Sequence, residues 1–227
     1  MSTQNYEIEV KVLLWEKPNA DILLEKLKQN DPNLKFKYEN SQLNHYFINW
    51  NFDKLLANIK PLLKEEVYPK FEHIIKFGKT HSIRTRKTDT ALIFIVKSTI
   101  DDTSSANGTA RIEFEEKITN MNIDELDKLI LDAGFVYQSK WSRHRQEYAY
   151  KDFAVTIDKN AGYGYLAEFE IVITDPSQAD KYKEQIRQEL ETLWVEELDQ
   201  GRIERMFAYY NEHWPEYYGT DKTFTLY

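Results

Sequence analysis

The first chemical signal lies close to the N-terminus, where Glu7, Glu9 and Lys11 alternate with Ile8, Val10 and Val12. In an extended chain such alternate residues share one side, roughly 7 Å apart, so a single ligand can touch successive members. One charged face by itself describes an ordinary solvated strand. Here the same phase recurs along the chain: Arg84 with Arg86, then Arg111, Glu113 and Glu115, then Arg143 with Arg145, then Glu168 with Glu170. Lys97 and Asp158 interrupt otherwise apolar strands. The alternate positions carry Ile112, Phe114, Phe169 and Ile171, which must be buried against other elements.

If the charged faces point inward, seven acids meet seven bases. A dry interior of that kind is a poor way to stabilise a fold, because each buried charge costs several kcal/mol unless paired or solvated. A wet, ligand-binding channel explains it better. Carboxylate clusters in a chain without cysteine suit Mg²⁺ or Mn²⁺, hard cations that take oxygen ligands and contact substrate phosphates. Arginine supplies forked donors to phosphate oxygens, and lysine adds a compact point charge. The set describes a polyanion held by bases and bridged to metal, with water available for activation and bases available for the departing phosphate.

The elements that would position these residues follow from periodicity. Asn5–Leu14 alternates as a strand, and Asn19–Gln29 has helical spacing behind Asn19 as a possible N-cap. A second strand is expected over Gln42–Asn49. Phe52–Glu65 reads as a helix whose end Pro61 disturbs. Strands are expected over Ser82–Thr88, Ala91–Ser98 and Ala110–Ile118, with Asp101–Gly108 as a polar loop. Asn122–Ala133 is helical and stops at Gly134. Gln138–Tyr150, Phe153–Lys159 and Tyr165–Ile173 bring the strands to eight, enough to close a barrel. Tyr182–Trp194 and Ile203–His213 are expected as helices, before an aromatic tail that packs on the barrel.

The fold class expected is therefore α+β: a closed eight-stranded antiparallel barrel with helices packed outside and a C-terminal helical segment. One domain over 1–227 is expected, with the barrel over 5–173, a helical insertion over about 51–81, and C-terminal helices and tail over 177–227. The longest apolar run, Ala91–Val96, is too short to span a membrane, and the N-terminus reads as no export signal. Zero cysteines suit a reducing cytoplasm. A formal charge of -8 argues against non-specific binding to nucleic acid or anionic lipid. The partner implied is a small molecule.

In their order the motifs resemble a known family, the CYTH domains or triphosphate tunnel metalloenzymes. Glu7-Ile8-Glu9-Val10-Lys11 is similar to that family's N-terminal Glu-x-Glu-x-Lys strand, and Gln42-x-x-x-Tyr46-Phe47 to its second-strand pattern, with Asn44 where Asp is commoner. Arg84-Thr85-Arg86, Lys97, Arg111-x-Glu113-x-Glu115, Arg143-x-Arg145, Asp158 and Glu168-x-Glu170 follow in the family's order. The resemblance covers residues 5 to 173 and departs from the family in the segment Asn51–His81 and the aromatic C-terminus. It implies metal ligation by Glu7, Glu9, Glu168 and Glu170, with Glu113, Glu115 and Asp158 nearby. It implies a triphosphate held by Lys11, Arg84, Arg86, Lys97, Arg111, Arg143 and Arg145, and catalysis by Glu7, Glu9, Lys11, Glu168 and Glu170.

The activity expected is Mg²⁺- or Mn²⁺-dependent hydrolysis of a triphosphate: inorganic tripolyphosphate, thiamine triphosphate or a nucleoside triphosphate. Two alternatives share the same interior, a class IV-type adenylyl cyclase and a module that binds polyphosphate or nucleotide without turnover. Other features read as structural. His45, His73, His81, His144 and His213 show no metal-ligand spacing. Gly162-Tyr163-Gly164 reads as a turn, Asn107-Gly108-Thr109 as a loop, and Arg202 and Arg205 as a solvated helix face. Trp194, Trp214, Tyr217 and Tyr218 read as packing.

Overall fold

The computed structural model describes residues 5–48, 51–99 and 111–226. The strands are β1 (Tyr6–Trp15), β2 (Lys35–Ile48), β3 (His81–Thr88), β4 (Leu92–Thr99), β5 (Arg111–Ile118), β6 (Val136–Tyr150), β7 (Phe153–Asn160) and β8 (Gly164–Ile173). They form a closed antiparallel ring in the order β1-β5-β4-β3-β2-β6-β7-β8. β1 closes it, pairing with β5 through Glu7 and Arg111 and with β8 from Tyr6 opposite Ile173 to Trp15 opposite Tyr165. Six α-helices accompany the strands among the described residues: α1 (Lys17–Asn30), α2 (Phe52–Ile59), α3 (Tyr68–Phe77), α4 (Ile123–Asp132), α5 (Ala179–Thr192) and α6 (Gln200–Tyr217).

Two apolar cores lie outside the ring, as the outward strand faces require. Ile8, Val10, Val155 and Phe169 are covered by Leu23 and Leu27 of α1 and by Ile186 and Leu190 of α5. Ile83, Phe94, Val96 and Phe114 are covered by Leu55 and Ile59 of α2, Phe71 and Ile74 of α3, and Leu126 and Ile130 of α4. Complete burial of such side chains is worth about 1.5–3 kcal/mol each, so the helices anchor the wall and free its inner face for other work.

α6, in the expected C-terminal helical segment, packs on one end of the barrel. Its Ile203, Met206 and Phe207 meet Leu166, Tyr163, Leu13 and Trp141, so it lies across the end of the ring where β1 stops and β8 begins. The inner faces there are apolar, whereas further along the same strands they are charged.

Local differences have physical causes. Asn19 does not cap α1; the N-cap is Glu16, and the Asn19 amide instead donates to the Leu14 carbonyl at 2.8 Å. β2 begins at Lys35, well before Gln42, because the exposed polar stretch pairs with the far end of β6. Pro61 converts the end of the expected 52–65 helix into a 3-10 turn over Lys60–Leu62, and α3, unforeseen as a separate helix, follows. α4 starts with a full capping box from Asn122 and Glu125, and Gly134 takes φ +92 beyond its end. Asn49, Ala110, the Asp101–Gly108 loop and Asn107-Gly108-Thr109 lie outside the described residues.

Candidate functional site

Alternation in the ring turns the charged faces inward and laces them together. Lys97 of β4 lies 2.7 Å from Glu7 and 3.1 Å from Glu113, its cross-strand partner. Lys11 reaches Glu9 at 2.5 Å and Glu168 at 3.8 Å, and Arg111 also bonds Glu9. Arg84 contacts Glu113 at 3.2 Å. Asp158, fully buried, accepts from Arg143 at 2.9 Å and from Arg145 at 2.7 and 2.6 Å, and Arg145 also reaches Glu168 at 2.6 Å. The exception is Glu115, exposed at the rim and joined to Arg86 at 3.1 Å.

Two carboxyls resist ionisation in this network. Burial, a hydrogen bond with Glu113 and the nearby acids push Glu7 up to about 9 despite Lys97. Burial, with Glu9, Glu168 and Glu113 close by, raises Glu170 to about 7. Glu170 stands directly across the ladder from Glu9, a like-charge pairing that costs stability, and it makes no ion pair among the described residues. Three others ionise readily. Burial opposes the charge on Glu9, Glu113 and Glu168, but Lys11 and Arg111, Lys97 and Arg84, and Arg145 and Lys11, respectively, hold them below the usual carboxylate range. Burial, then Arg84 and Arg143, lowers Arg86 to about 10.

The interior encloses a cavity of about 470 Å³. Glu9, Lys11, Glu168 and Glu170 line one side; Arg84, Arg86, Lys97, Arg111, Arg143 and Arg145 line much of the rest. Glu7 and Glu113 are not part of this lining, and both pair with Lys97, which is. Among the described residues no three acidic or imidazole side chains stand together as a ready-made metal cage. The donor chemistry nevertheless fits a hard divalent cation: crowded oxygen donors hold protons on Glu7 and Glu170 that such a cation would replace.

Several residues beyond the charged set also shape the site. Asn44 accepts from Arg86 at 2.9 Å, the Tyr46 hydroxyl from Arg84 at 2.9 Å, and Gln42 from Arg143 at 2.8 Å. Alternation in the second-strand pattern held the signal for these positions. Behind them, outside the wall, His45 and Thr85 form a cross-strand pair, and both bond Asp127 of α4 at 2.6 Å. Tyr137 donates to the same carboxylate at 2.7 Å, and the Tyr218 hydroxyl lies 2.7 Å from the other His45 ring nitrogen. Residues this distant in sequence leave no local pattern that predicts such a knot. Arg202 is not on the main cavity: its guanidinium lies 4.8 Å from the Trp15 ring, beside a separate cavity of about 370 Å³.

No family model matches the chain, and no curated protein matches it in sequence. Solved structures do match in fold. The PH1012 protein of Pyrococcus horikoshii OT3 superposes with a TM-score of 0.58 at 16% identity, covering 84% of this chain and 91% of its own. The PH1819 protein of the same organism gives 0.58 at 18% identity, over 86% and 94%. A candidate adenylate cyclase from Vibrio parahaemolyticus gives 0.56 at 16% identity, over 88% and 98%. In fold, this chain is similar to these proteins.

Proposed function

We propose that the chain is a divalent-metal-dependent triphosphatase acting inside the barrel. The observation that carries this reading is the division of one cavity into an arginine-rich wall and a crowded carboxylate wall, with Glu9 and Glu170 directly opposed. Arg84, Arg86, Arg143, Arg145 and Lys11 bind the phosphate chain, with fixed guanidinium forks orienting it for attack. Glu7, Glu9 and Glu170 would hold the metal, with Glu113 and Glu168 beside them. A bound Mg²⁺ or Mn²⁺ supplies Lewis acidity and a more acidic water. In the reaction, water oxygen bonds to the terminal phosphorus as the phosphoanhydride bond to it breaks, the water's proton passes to a carboxylate or solvent, and the bases neutralise charge on the departing diphosphate end. The many carboxylates favour turnover over binding alone, since an anion-binding module has no use for them.

The test incubates purified protein with Mg²⁺ or Mn²⁺ and a panel of tripolyphosphate, thiamine triphosphate and ATP, with orthophosphate, pyrophosphate and cyclic AMP all measured. Orthophosphate release that stops on chelation, and falls on the order of 100-fold in Arg145→Ala, is expected. Cyclic AMP as the main product replaces the hydrolase with a cyclase. Tight binding without any product makes the chain a sensor.

A further inference from the structure

The cavity has a second tier that phosphate chemistry does not require. Toward α6, on three neighbouring stretches of the wall, the inner face changes character two residues beyond the belt: Tyr46 follows Asn44, Trp141 precedes Arg143, and Leu166 precedes Glu168. α6 contributes Phe207 and Asn211 to the same lining. Tyr46 and Phe207 approach Trp141 edge-on, with centroids 6.2 and 5.4 Å away.

Packing of α6 accounts for only part of this. It explains Tyr210, wholly buried and stacked on Trp141 at 3.8 Å, and Tyr163, also buried. Tyr46, Trp141, Phe207 and Asn211 instead stay partly open on the cavity. The Asn211 amide makes no side-chain hydrogen bond among the described residues, so its donors and acceptor remain available. At about 470 Å³ the space falls in the range of roughly 300–1,000 Å³ typical of sites for ligands with an organic body.

Resting on the triphosphatase reading, we propose that this tier binds a flat, hydrogen-bonding ring at the far end of the substrate. The chain then selects ring-bearing triphosphates, of the nucleoside triphosphate kind, over inorganic tripolyphosphate. Aromatic edges and faces hold the ring, and Asn211 reads its polar rim, while the phosphate chain runs down into the basic belt.

The experiment compares kcat/KM for ATP, thiamine triphosphate and tripolyphosphate in the wild type, Asn211→Ala and Phe207→Leu, with thermal melts confirming that both variants fold. A ring-bearing substrate is expected to be preferred roughly tenfold or more in the wild type, and that ratio is expected to collapse in both variants. Equal or better use of tripolyphosphate by the wild type overturns the subsite while leaving the triphosphatase standing. If nothing is hydrolysed, the functional reading has failed, and calorimetric binding decides the subsite alone. ATP binding no tighter than tripolyphosphate, or unweakened by Asn211→Ala, then overturns it.

Discussion

Among the residues of the interior, Glu7 and Glu170 connect structure to pH most directly. Both are raised from an ordinary 4.5, Glu7 to about 9 and Glu170 to about 7, because burial among other acids penalises their charge. Between 4.5 and these values the folded chain holds protons that the unfolded chain has released, so stability falls as pH rises. Metal-free protein is therefore expected to unfold at progressively lower urea concentrations between about pH 5 and pH 9. Added Mg²⁺ or Mn²⁺ should flatten the decline, because a cation replaces the missing protons. Glu7→Gln, which cannot ionise, should lose most of the alkaline part of the slope. A urea midpoint that climbs with pH in metal-free wild type contradicts the crowding of these carboxyls.

At the scale of elements, the knot around Asp127 shows how a helix outside the wall fixes side chains inside it. His45 and Thr85 point outward between Asn44 and Tyr46 and between Arg84 and Arg86, so anchoring the outward pair sets the register of the inward ones. Asp127→Ala strands several buried polar groups together and is expected to cost about 3–5 kcal/mol. Tyr218→Phe removes one outer bond and should cost about 0.5–1.5 kcal/mol. Urea unfolding of both variants checks the order, and an Asp127→Ala loss under about 1 kcal/mol refutes the knot. The contrast also marks what was legible beforehand. Alternation, with short apolar runs and turn signals, indicated all eight strands, because a period of two records which face is wet. Asn122 and Gly134 bounded α4, since caps are local. The knot, α3 and the placement of α6 over the barrel end depend on contacts between distant segments, and no local period records those. β2 exceeds the expected strand for a related reason: Lys35–Ser41 is mostly exposed, so no apolar alternation announces it.

Across the whole molecule, the interior sets six acids against seven bases, with Glu115 outside at the rim, so the negative charge behind the formal -8 resides elsewhere. A triphosphate approaching from solution first meets a repulsive field and reaches the attractive one only at the cavity. The two act over different distances. At about 0.01 M salt the Debye length is ~30 Å and the outer charge is felt before contact; at about 0.15 M it shrinks to ~8 Å. Screening should thus remove the repulsion first, while contacts inside the low-dielectric barrel are less affected. The association rate of tripolyphosphate at fixed metal concentration is expected to stay level or rise between those salt concentrations. This is the reverse of a protein steered by an exposed basic patch. Stopped-flow binding measures it directly: a steep fall in the association rate with salt means that the basic residues project their field outward, contrary to their enclosure behind Glu9, Glu113, Asp158 and Glu168.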